Sequence, residues 1–233
     1  MGNQEHLAVV KSGPKAIASW REENPGVALD LEGVDLAGVD LRECKIRNAD
    51  LRGACLAGAS LFRASLAAAD LTGADLEGAD MGRATLTGAN LAGANLTNVN
   101  LYWADVKRAS LRGASLRWSR MVRACFLGAD LAGADFSLAT MLEVDLRGTD
   151  LTNACFQSAN MNGADMDRAV MAGADFTKAM IRDSMWTMAD MRGANFEQAS
   201  LHRSDLSMAK FDDTTRFPKG FDPYHTGEKD VLD

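Results

Sequence analysis

The chain has 233 residues and a net charge of −7, with 21 Gly but only 4 Pro and 4 Cys. Gly without a three-residue period and scarce Pro exclude collagen and Pro-rich linkers, and Ala and Leu at fixed phases exclude disorder. The negative charge opposes wholesale binding of nucleic acid.

No basic stretch followed by an apolar run opens the chain, and no segment approaches the roughly 20 apolar residues of a membrane span. Cys44, Cys55, Cys125 and Cys155 form no compact metal or disulfide spacing. A cytoplasmic protein with reduced thiols is expected, not attached to a membrane.

Residues 1–28 read as an N-terminal helical cap. Ser12-Gly13-Pro14 precedes a helix over Lys15 to Glu23, with Pro14 in its first turn, and Asn24-Pro25-Gly26 stops it. Ile17 and Trp20 share a face that can lie on the first repeats of the chain. Residues 3–11 add a further helical turn or two, with Leu7 and Val10 inward.

From Leu31 to Phe211 an apolar residue stands at every fifth position, 37 times without a slip. Two residues earlier the chain places a small one, Ala49, Ala54 and Ala59 onward through Ala94. A large and a small inward site per unit predict a narrow core, which a second large side chain would overpack. Leu31, Leu71, Met121, Phe136, Phe156, Phe176, Phe196 and Phe211 are therefore assigned to the core. The residue before each centre is commonly Asp, Asn or Ser, and the second after it Gly, as tight turns require. Strict short repetition of this kind predicts a solenoid.

Ala69-Asp70-Leu71-Thr72-Gly73, Ala74-Asp75-Leu76-Glu77-Gly78 and Ala89-Asn90-Leu91-Ala92-Gly93 carry a specific pattern. It resembles the pentapeptide-repeat family over residues 29–213. The resemblance implies an all-β chain, a right-handed quadrilateral parallel β-helix of about nine coils, roughly 45 Å long at the usual strand spacing. Residues 214–233, with Phe217, Phe221 and Tyr224 among Pro and Gly, then read as an irregular C-terminal cap and tail, or as a dimer seam.

Folding the sequence at twenty residues per coil places Phe136, Phe156, Phe176 and Phe196 in one column and exposes the outer phases to inspection. No nucleotide, zinc-protease or zinc-finger motif occurs, and His6, His202 and His225 do not converge, so no catalytic residue, metal or cofactor is expected. Two outer columns carry carboxylates: Asp50, Asp70, Asp130, Asp150 and Asp190, and beside them Asp35, Asp75, Asp135 and Asp175. The family includes proteins that protect DNA gyrase and topoisomerase IV by imitating duplex DNA, and these columns are the candidates for such mimicry. Residues 30–211 hold 23 acids against 19 bases, a mild net of −4.

A second surface departs from the consensus. Phe62, Arg63, Arg83, Tyr102, Trp103, Arg117, Trp118, Arg120, Val122, Arg123 and Leu142 form a mid-chain patch rich in the residue types enriched at binding hot spots. The sequence thus leads to a non-catalytic, rigid interaction scaffold presenting this patch to a protein partner or a second copy of itself. Protection of gyrase is its alternative. Direct nucleic-acid binding by the patch is opposed by the overall charge.

Overall fold

The computed structural model describes residues 2–224. It corrects the expected class. Among the described residues there is no β-strand and no sheet, hence no parallel β-helix or β-solenoid of the kind anticipated. The regular elements are two short helices, α1 (Gln4–Lys11) and α2 (Pro14–Glu23). Beyond them the chain meets itself only through isolated parallel bridges, one residue at a time, as in Asp50↔Asp70, Cys55↔Asp75, Ser60↔Asp80 and Ser65↔Thr85.

The local geometry explains why no strand forms. Most units close a four-residue turn, Ala54 N–H donating to Leu51 O at 3.0 Å, for example. The third residue of that turn has positive φ, 60° at Gly53, as a type II turn demands. That leaves one extended residue, the one before each centre, to pair on both sides. On one side Asp70 donates to Ala49 O at 2.9 Å and its own carbonyl accepts from Leu51 at 2.7 Å. On the other, its neighbours bond Asn90, Leu71 donating to Asn90 O at 2.6 Å and Asn90 to Ala69 O at 2.9 Å. A strand needs consecutive extended residues, and a turn every five residues removes them.

One N–H per unit is missed by this backbone pattern, that of the residue after the centre. The side chain before the centre accepts it: Thr72 donates to Asp70 Oδ1 at 3.0 Å and Ala92 to Asn90 Oδ1 at 3.2 Å. Asp and Asn at this phase are therefore structural, satisfying a donor that would otherwise depend on solvent.

The register of twenty residues stacks like on like in the interior. Leu31, Leu71, Met121, Phe136, Phe156, Phe176 and Phe196 are all fully buried, whereas Phe211 is only partly so. Phe136, Phe156, Phe176 and Phe196 lie face to face at 4.7–4.9 Å between ring centroids and within 5° of parallel. Trp186, at a centre of a neighbouring column, meets Phe176 and Phe196 edge-on at 5.6 Å. Its Nε1 donates to Ser184 Oγ at 2.7 Å, so this buried indole is satisfied.

At the C-terminal end the register slips by one residue, from Asp190↔Lys210 to Asn195↔Arg216. The slip returns Phe217 to the Phe column, 5.8 Å from Phe196 and 7° from parallel. Phe211 and Phe221 then pack against it, and Tyr224 packs in turn against Phe211.

The N-terminal segment closes the other end. Gly2 and Asn3 donate to Glu32 O and Asp30 O, and His6 Nδ1 accepts from Asp30 N–H at 2.9 Å. Asn3 also caps α1, accepting from Glu5 and His6. Val10 and Ile17 are buried in the core that the first windings share.

Candidate interaction surfaces

Every fifth-residue unit sends its second and third residues outward, so the register decides which exposed side chains become neighbours. Phe62, Gly82, Tyr102, Val122 and Leu142 fall in one column, and Arg63, Arg83, Trp103, Arg123 and Glu143 in the next. Tyr102 and Trp103 are 42% and 48% exposed, whereas Phe62, Val122 and Leu142 are half-buried. Phe62 lies over Gly82, where an added Cβ would come within 3.2 Å of its ring. Arg120 stands in the bridge column of the same face, between Asn100 and Thr140. Trp118 occupies the preceding corner with Leu138 one winding on, 57% and 37% exposed.

Within this face Arg123 stacks on Trp103 at 5.5 Å and donates from Nε to Glu143 at 2.7 Å. Arg63 repeats the device between the Phe62 ring and Glu43. Arg117 belongs instead to the adjoining face, held by Asp135 at 3.0 Å. The structure thus joins most of the patch into one surface, apolar along its centre and cationic at its margin. Leu127 and Leu138, at the outward phases of their units, are exposed as well.

The two carboxylate columns are less open than their spacing suggests. Asp50 and Asp190 are clamped by Arg52 and Arg192, Asp130 by Arg112 and Asp135 by Arg117. The Arg52 bond holds the Asp50 carboxyl below its ordinary range, and Arg192 does the same for Asp190. Burial resists ionisation of Asp135 and Asp175, yet bonds from Ser137 and Arg117, and from Thr177 and Gln157, keep both below that range. Asp35, Asp70, Asp75 and Asp150 are bonded to turn N–H or neutral side chains.

The structure adds a third acidic column that the sequence did not single out: Asp105, Asp145, Asp165 and Asp205, interrupted by Cys125 and Met185. Burial raises the pKa of Asp165, and the Asp167 and Asp145 charges add to it.

Among the described residues no group of three or more His, Cys, Asp or Glu side chains can hold a metal, and no helix is long and apolar enough to cross a membrane. His6 packs edge-on against Trp20, and His202 lies far along the chain on an exposed turn. His225 lies outside the described residues.

Short repeated turns around an apolar interior define a repeat protein whose exposed variation lies on its sides. The pentapeptide-repeat model (8 copies) matches residues 29–61, 64–101, 100–137, 139–168, 153–184 and 189–215, and the chain belongs to that family. It is accordingly a non-catalytic pentapeptide-repeat protein.

Among solved structures it is similar to HetL, a pentapeptide repeat protein involved in heterocyst differentiation regulation from the cyanobacterium Nostoc sp. strain PCC 7120. Identity is 30%, covering 81% of this chain and 87% of that one, with a TM-score of 0.44. QnrB1, a plasmid-mediated fluoroquinolone resistance protein, is 21% identical over 75% of this chain and 92% of its own, with a TM-score of 0.51, a likeness of fold alone. A pentapeptide repeat protein from the Arabidopsis thaliana thylakoid lumen is 34% identical over 46% of this chain and 68% of that one, with a TM-score of 0.31. No curated protein sequence matches the chain.

Proposed function

We propose that this protein binds DNA gyrase or topoisomerase IV in the place of duplex DNA and so protects the enzyme. The observation that carries this reading is the alignment of carboxylates on adjoining faces, with Asp50 bridged to Asp70 and Asp130 to Asp150 one winding apart. The likeness in fold to a fluoroquinolone resistance protein supports it over an unspecified scaffold role. Arg52, Arg112 and Arg192 neutralise part of the first column and Arg117 part of the second, so a partner's cations must compete with them.

The test is gyrase supercoiling with and without a fluoroquinolone, titrated with the purified protein. Inhibition or drug rescue at micromolar protein, weakened in Asp130→Asn/Asp150→Asn, is the expected result. Asn keeps the acceptor for the turn N–H and removes only the charge, so the variant folds. No effect on either readout overturns the proposal.

One observation favours a second reading, in which the partner is held by the face around Trp103. Tyr102 and Trp103 are exposed together there, beside the exposed Trp118 and Leu138. Aromatic and Arg side chains concentrated on one face are suited to a desolvated contact. Trp103→Ala/Trp118→Ala then abolishes partner recovery or self-association by sedimentation, while the Asp variants leave both unchanged.

A further inference from the structure

We infer that the cleft between α2 and the first windings is a binding site for a phosphate-class oxyanion. Arg21, Val27, Ala28, Lys45, Arg47 and Asn48 line this cleft of about 300 Å³. Arg21, Lys45 and Arg47 bring three cationic side chains to it.

The repeat itself shows what is missing there. Arg42, Arg52, Arg147 and Arg192 each follow a centre, and each is clamped by the Asp two residues earlier. Nε donates to Oδ1 at 2.8–2.9 Å and Nη2 to Oδ2 at 2.6–2.9 Å in all four. Arg47 stands at the same phase, but Lys45 replaces the Asp. The next winding places Ser65 and Ala67 below them, so it offers no carboxylate either.

Arg21 adds the third charge. Its Nη1 donates to Val27 O at 2.8 Å and its Nη2 to Arg47 O at 2.9 Å, which fixes the guanidinium without neutralising it. Its Nε is buried and has no acceptor among the described residues. Burial, and then the Arg47 charge, depress the pKa of Arg21. A bound oxyanion supplies what the other four clamps have: two acceptor oxygens for a guanidinium fork, and a negative charge among cations. Three cations around a small cleft favour a doubly charged phosphate over a single carboxylate.

The experiment is isothermal titration calorimetry of the full chain with inorganic phosphate at fixed ionic strength, with acetate as the carboxylate arm. One saturable phosphate site is expected, weakened about tenfold in Lys45→Gln and in Arg47→Gln, as loss of one charge-assisted bond implies. Circular dichroism establishes that these surface variants fold, and Arg47→Lys, which keeps the charge without the fork, falls between. Absence of saturable heat, or an affinity unchanged in both Gln variants, overturns the site. Acetate binding as tightly as phosphate overturns the ligand class. None of these outcomes depends on whether gyrase is the partner.

Discussion

Asp at the position before each centre has two separable properties, an acceptor oxygen and a charge. Asp150 uses the first for Thr152 N–H at 3.0 Å. Asp150→Ala is expected to lower stability by about 1 kcal/mol, the net worth of one hydrogen bond, while Asp150→Asn is near neutral in urea unfolding.

The charges themselves set opposite pH dependences. Asp190, held low by Arg192, stabilises the fold above the unfolded carboxyl pKa of about 4, and that contribution is lost as pH falls through its folded value. Asp165, raised by burial, behaves oppositely: its contribution is full below about pH 4 and lost as pH rises through the folded value. Asp165→Asn should therefore raise the Tm near neutral pH and lose that advantage in acid, whereas Asp190→Asn should lower it near neutral pH only. Thermal melts across pH test both.

Trp118 belongs to the same scale of argument. It has φ of 61° in the turn position that Gly53 fills without strain, and its ring is largely exposed. Trp118→Gly is expected to stabilise the fold by about 1 kcal/mol in chemical denaturation, because the left-handed conformation is costly for a residue with a Cβ.

The element of this molecule is the five-residue turn, and its strength comes from stacking identical turns. Phe156 lies between Phe136 and Phe176, stacked on both at 4.9 and 4.7 Å. Phe156→Ala should cost about 3–5 kcal/mol in urea unfolding, the range for an aromatic cavity.

Its N-terminal end shows how such a stack is closed. Gly2 lies so near the first winding that a Cβ would stand 2.9 Å from Glu32 N and Leu31 Cα. Gly2→Val should release residues 2 and 3 and accelerate amide exchange in the first winding, leaving the middle windings protected. The reason is the near-neighbour character of stacked repeats, in which a local loss need not spread.

Across the whole molecule, the sides offer three different surfaces: acidic columns partly neutralised by Arg, an aromatic and cationic face, and a basic cleft beneath α2. The interior and the repeat were legible because a strict period of five assigns every residue an inward or outward direction. Leu71 and Met121 are buried as that period places them. Trp186 stands at a centre and is likewise buried, but its edge-on contacts with Phe176 and Phe196 were hidden, because those rings come from other units of the repeat. The Arg pairings of Asp130 and Asp135 were likewise hidden, since each joins residues 18 apart in sequence.

Sequence alone determined the unit, its repetition and its family pattern, since these depend on side-chain size and polarity at fixed phases. Only the tertiary structure decided that the windings pair through single residues instead of strands, because pairing depends on how many consecutive residues a turn leaves extended. It also decided which cations are brought together. Asp50 and Lys45 occupy the same phase, yet Asp50 is neutralised by its neighbour Arg52 while Lys45 and Arg47 share a cleft with Arg21. That difference arises where α2 packs on the first windings, a contact that no period records.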